Sequence, residues 1–135
     1  MLENNYELGL YSEPGYAPLF ESGHDWMVAA YNGCPFTGYI ERHTTSDEAF
    51  ILMAGRAIML VGDTGTDAGS VKPVELELFQ AINIKKSVWH TVLSSCDARI
   101  LIVENRDVTR QNSDYWTCPD TFLSSHSLHD IYYDR

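Results

Sequence analysis

The sequence predicts an all-β protein, a barrel or sandwich of short strands. Apolar stretches of five to eight residues recur at a spacing of about 8 to 12, separated by Gly, Asp, Ser and Asn. They are rich in Val, Ile, Phe, Tyr and Thr, side chains that suit a pleated, half-buried surface. Almost no long stretch has the 3.6-residue periodicity of a helix.

In chain order, the expected strands are 26–31, 36–43, 49–53, 57–61, 76–82, 88–93 and 99–104. Ala54 and Gly55 break the 49–61 stretch into a hairpin. The polar series Gly62, Asp63, Gly65, Asp67, Gly69 and Ser70, ahead of Pro73, predicts a mobile loop. Residues 83–87 and 94–97 connect the later strands. Residues 1–20 carry Tyr6, Leu8, Leu10, Tyr11 and Tyr16 with Pro14 and Pro18, which predicts an extended arm able to add a strand at a sheet edge. The tail, 106–135, spreads Trp116, Phe122, Leu123, Leu128, Ile131, Tyr132 and Tyr133 among polar residues, and reads either as a short helix or as a segment wrapping a subunit.

At 135 residues and 44% hydrophobic, the chain is sized for one domain, with the arm, a barrel over about 21–105 and the tail. A formal charge of −10 and scattered basic residues argue against nucleic acid or an anionic membrane as partner, because both need a clustered basic surface. The first residues are acidic, without the basic start and apolar run of a signal peptide, and no stretch approaches a membrane span. Cys34, Cys96 and Cys118 are odd in number and lack CxxC spacing, which fits reduced thiols and a cytoplasmic protein. None has an obvious basic neighbour to activate it as a nucleophile.

The chemistry concentrates in Glu41, His43, Glu48 and His90. Residues i and i+2 of a strand face the same side, so Glu41 and His43 can converge on one point. Glu48 begins the returning strand, and a closed barrel can bring His90 opposite. Together they offer two nitrogen and two oxygen ligands, a set suited to iron, manganese, nickel or zinc as the divalent ion. Phe50 and Leu52 share the parity of Glu48 and are expected to line an apolar pocket. Trp89 is a third pocket candidate, reading also as a core or interface aromatic. Tyr39 shares the parity of Glu41 and His43, so its hydroxyl could orient substrate, with Glu41 as fourth ligand or general base. Arg42 faces the other way, toward a surface or interface pair. His24, beside Asp25, and His126 with His129 at i, i+3, rank lower as ligands. The 62–70 loop lacks the Lys-Ser/Thr ending of a phosphate-binding loop.

Glu41-x-His43, four residues, Glu48, six residues, Gly55 resembles the first motif of the cupin superfamily, HxH, three or four residues, Glu, six residues, Gly. Glu41 stands at the first histidine position. The second motif, Pro-x-Gly-x-x-His, is matched by Lys85 to His90, with Lys85 and Ser87 in place of Pro and Gly. The resemblance implies a double-stranded β-helix, or jelly-roll, barrel, and pairing of two copies through sheet edges. More narrowly, ERH at 41–43, Ala49-Phe50-Ile51 and Val88-Trp89-His90 resemble the ureidoglycolate lyase family over about residues 38–105. The chain differs by Glu48 where Gln is usual and Thr44 where Pro follows the histidine. A metal in such a barrel would serve a lyase, isomerase or oxygenase acting on a small polar metabolite, and the narrower resemblance implies a lyase acting on a small hydroxy or ureido acid. The other reading is a non-catalytic barrel that binds a small ligand or serves an assembly, since fold does not transmit activity.

Overall fold

The structure is a computed structural model that describes residues 5–20, 25–33, 39–108 and 110–117. Ten strands build it: β1 (Gly15–Pro18), β2 (Trp26–Asn32), β3 (Tyr39–His43), β4 (Glu48–Ala54), β5 (Ala57–Val61), β6 (Lys72–Glu75), β7 (Ala81–Ile84), β8 (His90–Ser94), β9 (Arg99–Asn105) and β10 (Ser113–Thr117). A 3-10 turn, Arg110–Asn112, leads into β10. Two five-stranded sheets result, β1-β2-β9-β4-β7 and β10-β3-β8-β5-β6, each antiparallel throughout. Among the described residues no helix is long and apolar enough to cross a membrane.

Alternation along the strands decides what faces inward. In β4, Glu48, Phe50 and Leu52 are buried, and in β9 so are Ile100, Ile102 and Glu104. Antiparallel register sets Leu52 against Ile100, Phe50 against Ile102 and Glu48 against Glu104. The ladder is therefore apolar at its lower rungs and ends in two glutamates. With Ala29, Ala57, Met59, Leu76 and Ile84 those apolar side chains form the main core, which closes one end of the barrel.

A second cluster lies on the outer face of the other sheet, where Ile40 and Trp89 pack with Ala68, Val71 and Trp116. Its cover is the polar loop that composition alone reads as mobile. Gly62 N–H donates to the Trp89 carbonyl at 2.7 Å, Trp89 N–H to the Asp63 carbonyl at 3.0 Å, and the indole N–H to the Gly65 carbonyl at 2.9 Å. Arg42 stacks over the Trp89 ring at 4.8 Å, donates to Thr64 and Gly65 carbonyls, and pairs with Asp114 at 2.7 Å. The loop is thus tied down through Trp89 and Arg42, both of which point away from the barrel interior.

Two other expectations shift. Of the strand expected over 76–82 only Ala81 and Ile82 lie in one, β7, and the strand before it ends at Glu75. Pro73 sits in β6, an edge strand where its missing donor leaves no ladder bond unmade, and the chain then turns through Glu77–Gln80 before β7. Phe79 takes a left-handed φ of 66° in that turn. The arm supplies β1 at the edge of the first sheet, as expected, whereas the tail, read as a short helix or a wrapping segment, supplies β10 at the edge of the second. His24, Cys34, Cys118, His126, His129 and the remaining tail aromatics lie outside the described residues.

Two positions set turns at opposite ends of the barrel strands, Gly55 after β4 and Ser87 before β8. Gly55 has φ of 74°, and a Cβ there would lie 2.6 Å from Ala98 Cα, so neither conformation nor space admits a side chain. Ser87, at the position where the cupin motif has Gly, also has a left-handed φ of 68°. Its N–H donates to the His43 carbonyl at 2.8 Å, and Asp47 accepts from Lys86 N–H at 2.7 Å and Asn83 at 3.0 Å, holding the turn despite the serine.

The two positions predict opposite outcomes. Gly55→Ala is expected to lower the free energy of unfolding by about 2 kcal/mol or more, measured by urea denaturation. Ser87→Gly is expected to raise it by up to about 1 kcal/mol, because strain is relieved and only part is returned as unfolded-chain entropy. A destabilised Ser87→Gly protein would contradict the assignment of strain.

Candidate metal centre

Both sheets contribute to one polar cluster inside the barrel. β3 supplies Glu41 and His43 and β8 supplies His90, while β4 brings Glu48 across from the facing sheet. Glu41 and His90 are direct cross-strand partners. The ligand atoms of these four residues all lie within 4.8 Å of one another. Glu48 Oε1 lies 3.0 Å from His43 Nε2 and 2.9 Å from His90 Nε2, so both imidazoles aim at one carboxylate oxygen. Glu41 Oε1 stands 3.6 Å and 3.9 Å from the same two nitrogens. His43, Glu48 and His90 are buried, and Glu41 is the partly exposed member.

The far side of each ring is also engaged. His90 Nδ1 lies 2.9 Å from the Val88 carbonyl, which can only accept, so Nδ1 carries a proton. Its Nε2 then meets Glu48 either as a second donor or through a lone pair on a shared cation. His43 Nδ1 lies 2.8 Å from Ser113 Oγ, its cross-strand neighbour on β10. Rings anchored at Nδ1 with Nε2 turned inward match the usual support of metal-ligating histidines.

Charge coupling is strong. Burial disfavours a charged His43, but hydrogen bonds and charge from Glu41 and Glu48 outweigh it and raise its pKa to about 10. Burial likewise opposes charge on Glu48, yet the hydrogen bonds of His43 and His90 hold its carboxyl well below the usual range. Glu104 behaves in the opposite way: burial, then the hydrogen bond and charge of Glu48, push it up to about 8. Glu104 is thus a neutral acid beside an ionised one at neutral pH. Tyr16 on β1 donates to Glu104 Oε1 at 2.8 Å, so the arm reaches into the same network.

A cavity of about 530 Å³ opens onto this cluster. Tyr39 and Phe50 line it, together with Glu41, His43, Glu48 and His90. Leu52 does not; it lies two residues further along β4, in the core beneath the floor. Trp89 does not either, because its neighbour His90 faces inward and strand alternation turns the indole to the outer cluster. Glu104, Tyr16, Ser113, Tyr31 and Tyr115 join the cavity without having been expected. Only Glu104 had a signal: a carboxylate continuing the Ile100, Ile102 parity.

No protein-family model and no curated protein matches this chain. Solved structures do. A cupin-2 domain protein from Shewanella frigidimarina NCIMB 400 superimposes with a TM-score of 0.52 at 20% identity, covering 71% of this chain and 85% of that one. Protein NMB1881 from Neisseria meningitidis gives 0.53 at 16%, covering 70% and 88%. A variant of Streptomyces PAC13 determined with uridine gives 0.62 at 6%, covering 87% and 96%. At such identities the likeness is one of fold. Two facing antiparallel sheets with these neighbours make the chain a jelly-roll barrel of the cupin fold.

Proposed function

We propose that His43, Glu48 and His90, with Glu41, hold a divalent iron, manganese, nickel or zinc ion, and that the protein is an enzyme acting on a small polar metabolite in the cavity. The observation that carries this is the aim of two anchored Nε2 atoms at a single Glu48 oxygen, at 3.0 and 2.9 Å. In a metal-free site, protons must bridge those nitrogens and that oxygen. Two nitrogen and two carboxylate donors suit any of the four ions, and a bound ion would supply Lewis acidity for substrate oxygen.

The chain's own groups divide the remaining tasks. Ser113 and the Val88 carbonyl orient the imidazoles, and Glu104 with Tyr16 supports Glu48 from behind. Glu41, the partly exposed member, is either the fourth ligand or, where the other three hold the ion, the base that accepts a proton from substrate, and Tyr39 lines the cavity with it. The ERH and VWH runs support a lyase as the reaction class.

Titration of chelator-treated protein with each metal ion alone, followed by calorimetry, is expected to show one ion bound per chain. His43→Ala combined with His90→Ala is expected to abolish binding with the β-sheet circular dichroism retained. Failure of all four ions to bind the folded wild-type chain would overturn the metal reading.

The proton balance gives a second outcome. His43 has its pKa raised from 6.5 to about 10, so its contribution to metal-free stability is full below pH 6.5 and is lost as pH rises through 10. Glu104, raised from 4.5 to about 8, acts with the same sign over its own window. The thermal midpoint of chelated protein is therefore expected to fall between pH 6.5 and pH 10. Added metal is expected to flatten that fall, because it takes the place of the His43 proton. A midpoint that rises over this window without metal would contradict the coupling.

A further inference from the structure

The walls above the polar cluster carry their own information about what enters. Tyr16 and Tyr31 are direct cross-strand partners on β1 and β2, at one edge of the first sheet. Tyr39 and Tyr115 lie on β3 and β10, at the corresponding edge of the second sheet, with ring centroids 6.2 Å apart and planes at 78°. All four line the same cavity, so each wall bears a tyrosine pair. Tyr16, Tyr39 and Tyr115 remain 41–49% exposed, which leaves aromatic surface available to a visitor.

The charged and acidic groups of the cavity are the carboxyl groups of Glu41, Glu48 and Glu104 with His43 facing them, and among the described residues no lysine or arginine is in its lining. The nearest basic side chain in sequence, Arg42, is turned to the outer face and committed to Trp89 and Asp114. Sites that select a carboxylate or phosphate present Arg, Lys or converging backbone N–H groups to it. In the metal-free protein an anion would meet the partly exposed Glu41 at the cluster, while a ring would meet aromatic faces and edges.

We propose that the cavity selects a ring-bearing, hydroxylated molecule without negative charge, its ring seated between the two tyrosine pairs and its hydroxyls directed to the polar cluster. This deepens the reading of the cavity as a substrate site and sets aside the hydroxy or ureido acid that the ERH and VWH resemblance implies. The ring contributes through the tyrosines and the hydroxyls through the carboxyl groups, so the two preferences are separable.

Four probes isolate them: 1-phenylethane-1,2-diol, mandelate, propane-1,2-diol and lactate, which differ only in ring and charge. Their binding to the full chain is measured by calorimetry after chelator treatment, so the outcome does not depend on the metal reading. The phenyl diol is expected to bind roughly tenfold or more tightly than either mandelate or propanediol. Tyr39→Ala with Tyr115→Ala is expected to remove the ring advantage, and Glu41→Gln, which keeps the fold in case the double variant does not, to narrow the gap to mandelate. Mandelate or lactate binding as tightly as its diol, equal binding with and without the ring, or no binding of the phenyl diol would each overturn the proposal. Failure of the metal titration alone would leave it standing.

Discussion

Two imidazoles from one sheet and a carboxylate from the other meet at a single oxygen atom, and most of the molecule serves to keep them there. The sheets must face each other, β3 and β8 must be adjacent, and β4 must enter in the register that turns Glu48 inward. A slip of one residue in β4 would send Glu48 to solvent and Ala49 to the interior. The apolar rungs Phe50 against Ile102 and Leu52 against Ile100 oppose such a slip, since it would expose both buried side chains. Core packing and site geometry are therefore one constraint seen from two ends of the same ladder.

The cluster is expensive to bury. Removing an ion from water costs several kcal/mol even after relaxation, and losing one partner of a buried pair costs about 3–5 kcal/mol. The structure answers with reciprocal pairing: Glu48 stays ionised because His43 and His90 face it, and Glu104 favours its proton because it is buried and then because Glu48 accepts its hydrogen bond and is already charged. Strain is spent nearby as well, at Ser87, whose left-handed backbone lets its N–H reach the His43 carbonyl. Such a grouping contributes little to stability by itself and is accounted for by what it can bind.

Much of this was legible in the chain. Period-two parity alone places Glu41 with His43, and Glu48 with Phe50, and the cupin spacing brings His90 to them. Parity also accounts for the outward Arg42, and applied one step further it would have turned Trp89 outward too. Glu104 was written in the same code, but a lone glutamate after two isoleucines also fits a strand that ends at the surface. What the sequence could not convey was long-range: Ser113 and Tyr115 arrive on an edge strand inside a polar tail, and Tyr16 arrives on the arm. The 62–70 loop has the composition of a mobile segment, yet its backbone finds partners in Trp89 and Arg42, contacts that no local pattern encodes.

The most direct test of the shared centre is anomalous scattering from crystals grown with zinc as the sole added metal. The expected result is a peak at about 2.1 Å from Nε2 of both His43 and His90, within bonding reach of a Glu48 oxygen. An ordered barrel with both imidazoles visible and the peak absent, or with the two Nε2 atoms directed to different partners, would contradict the account.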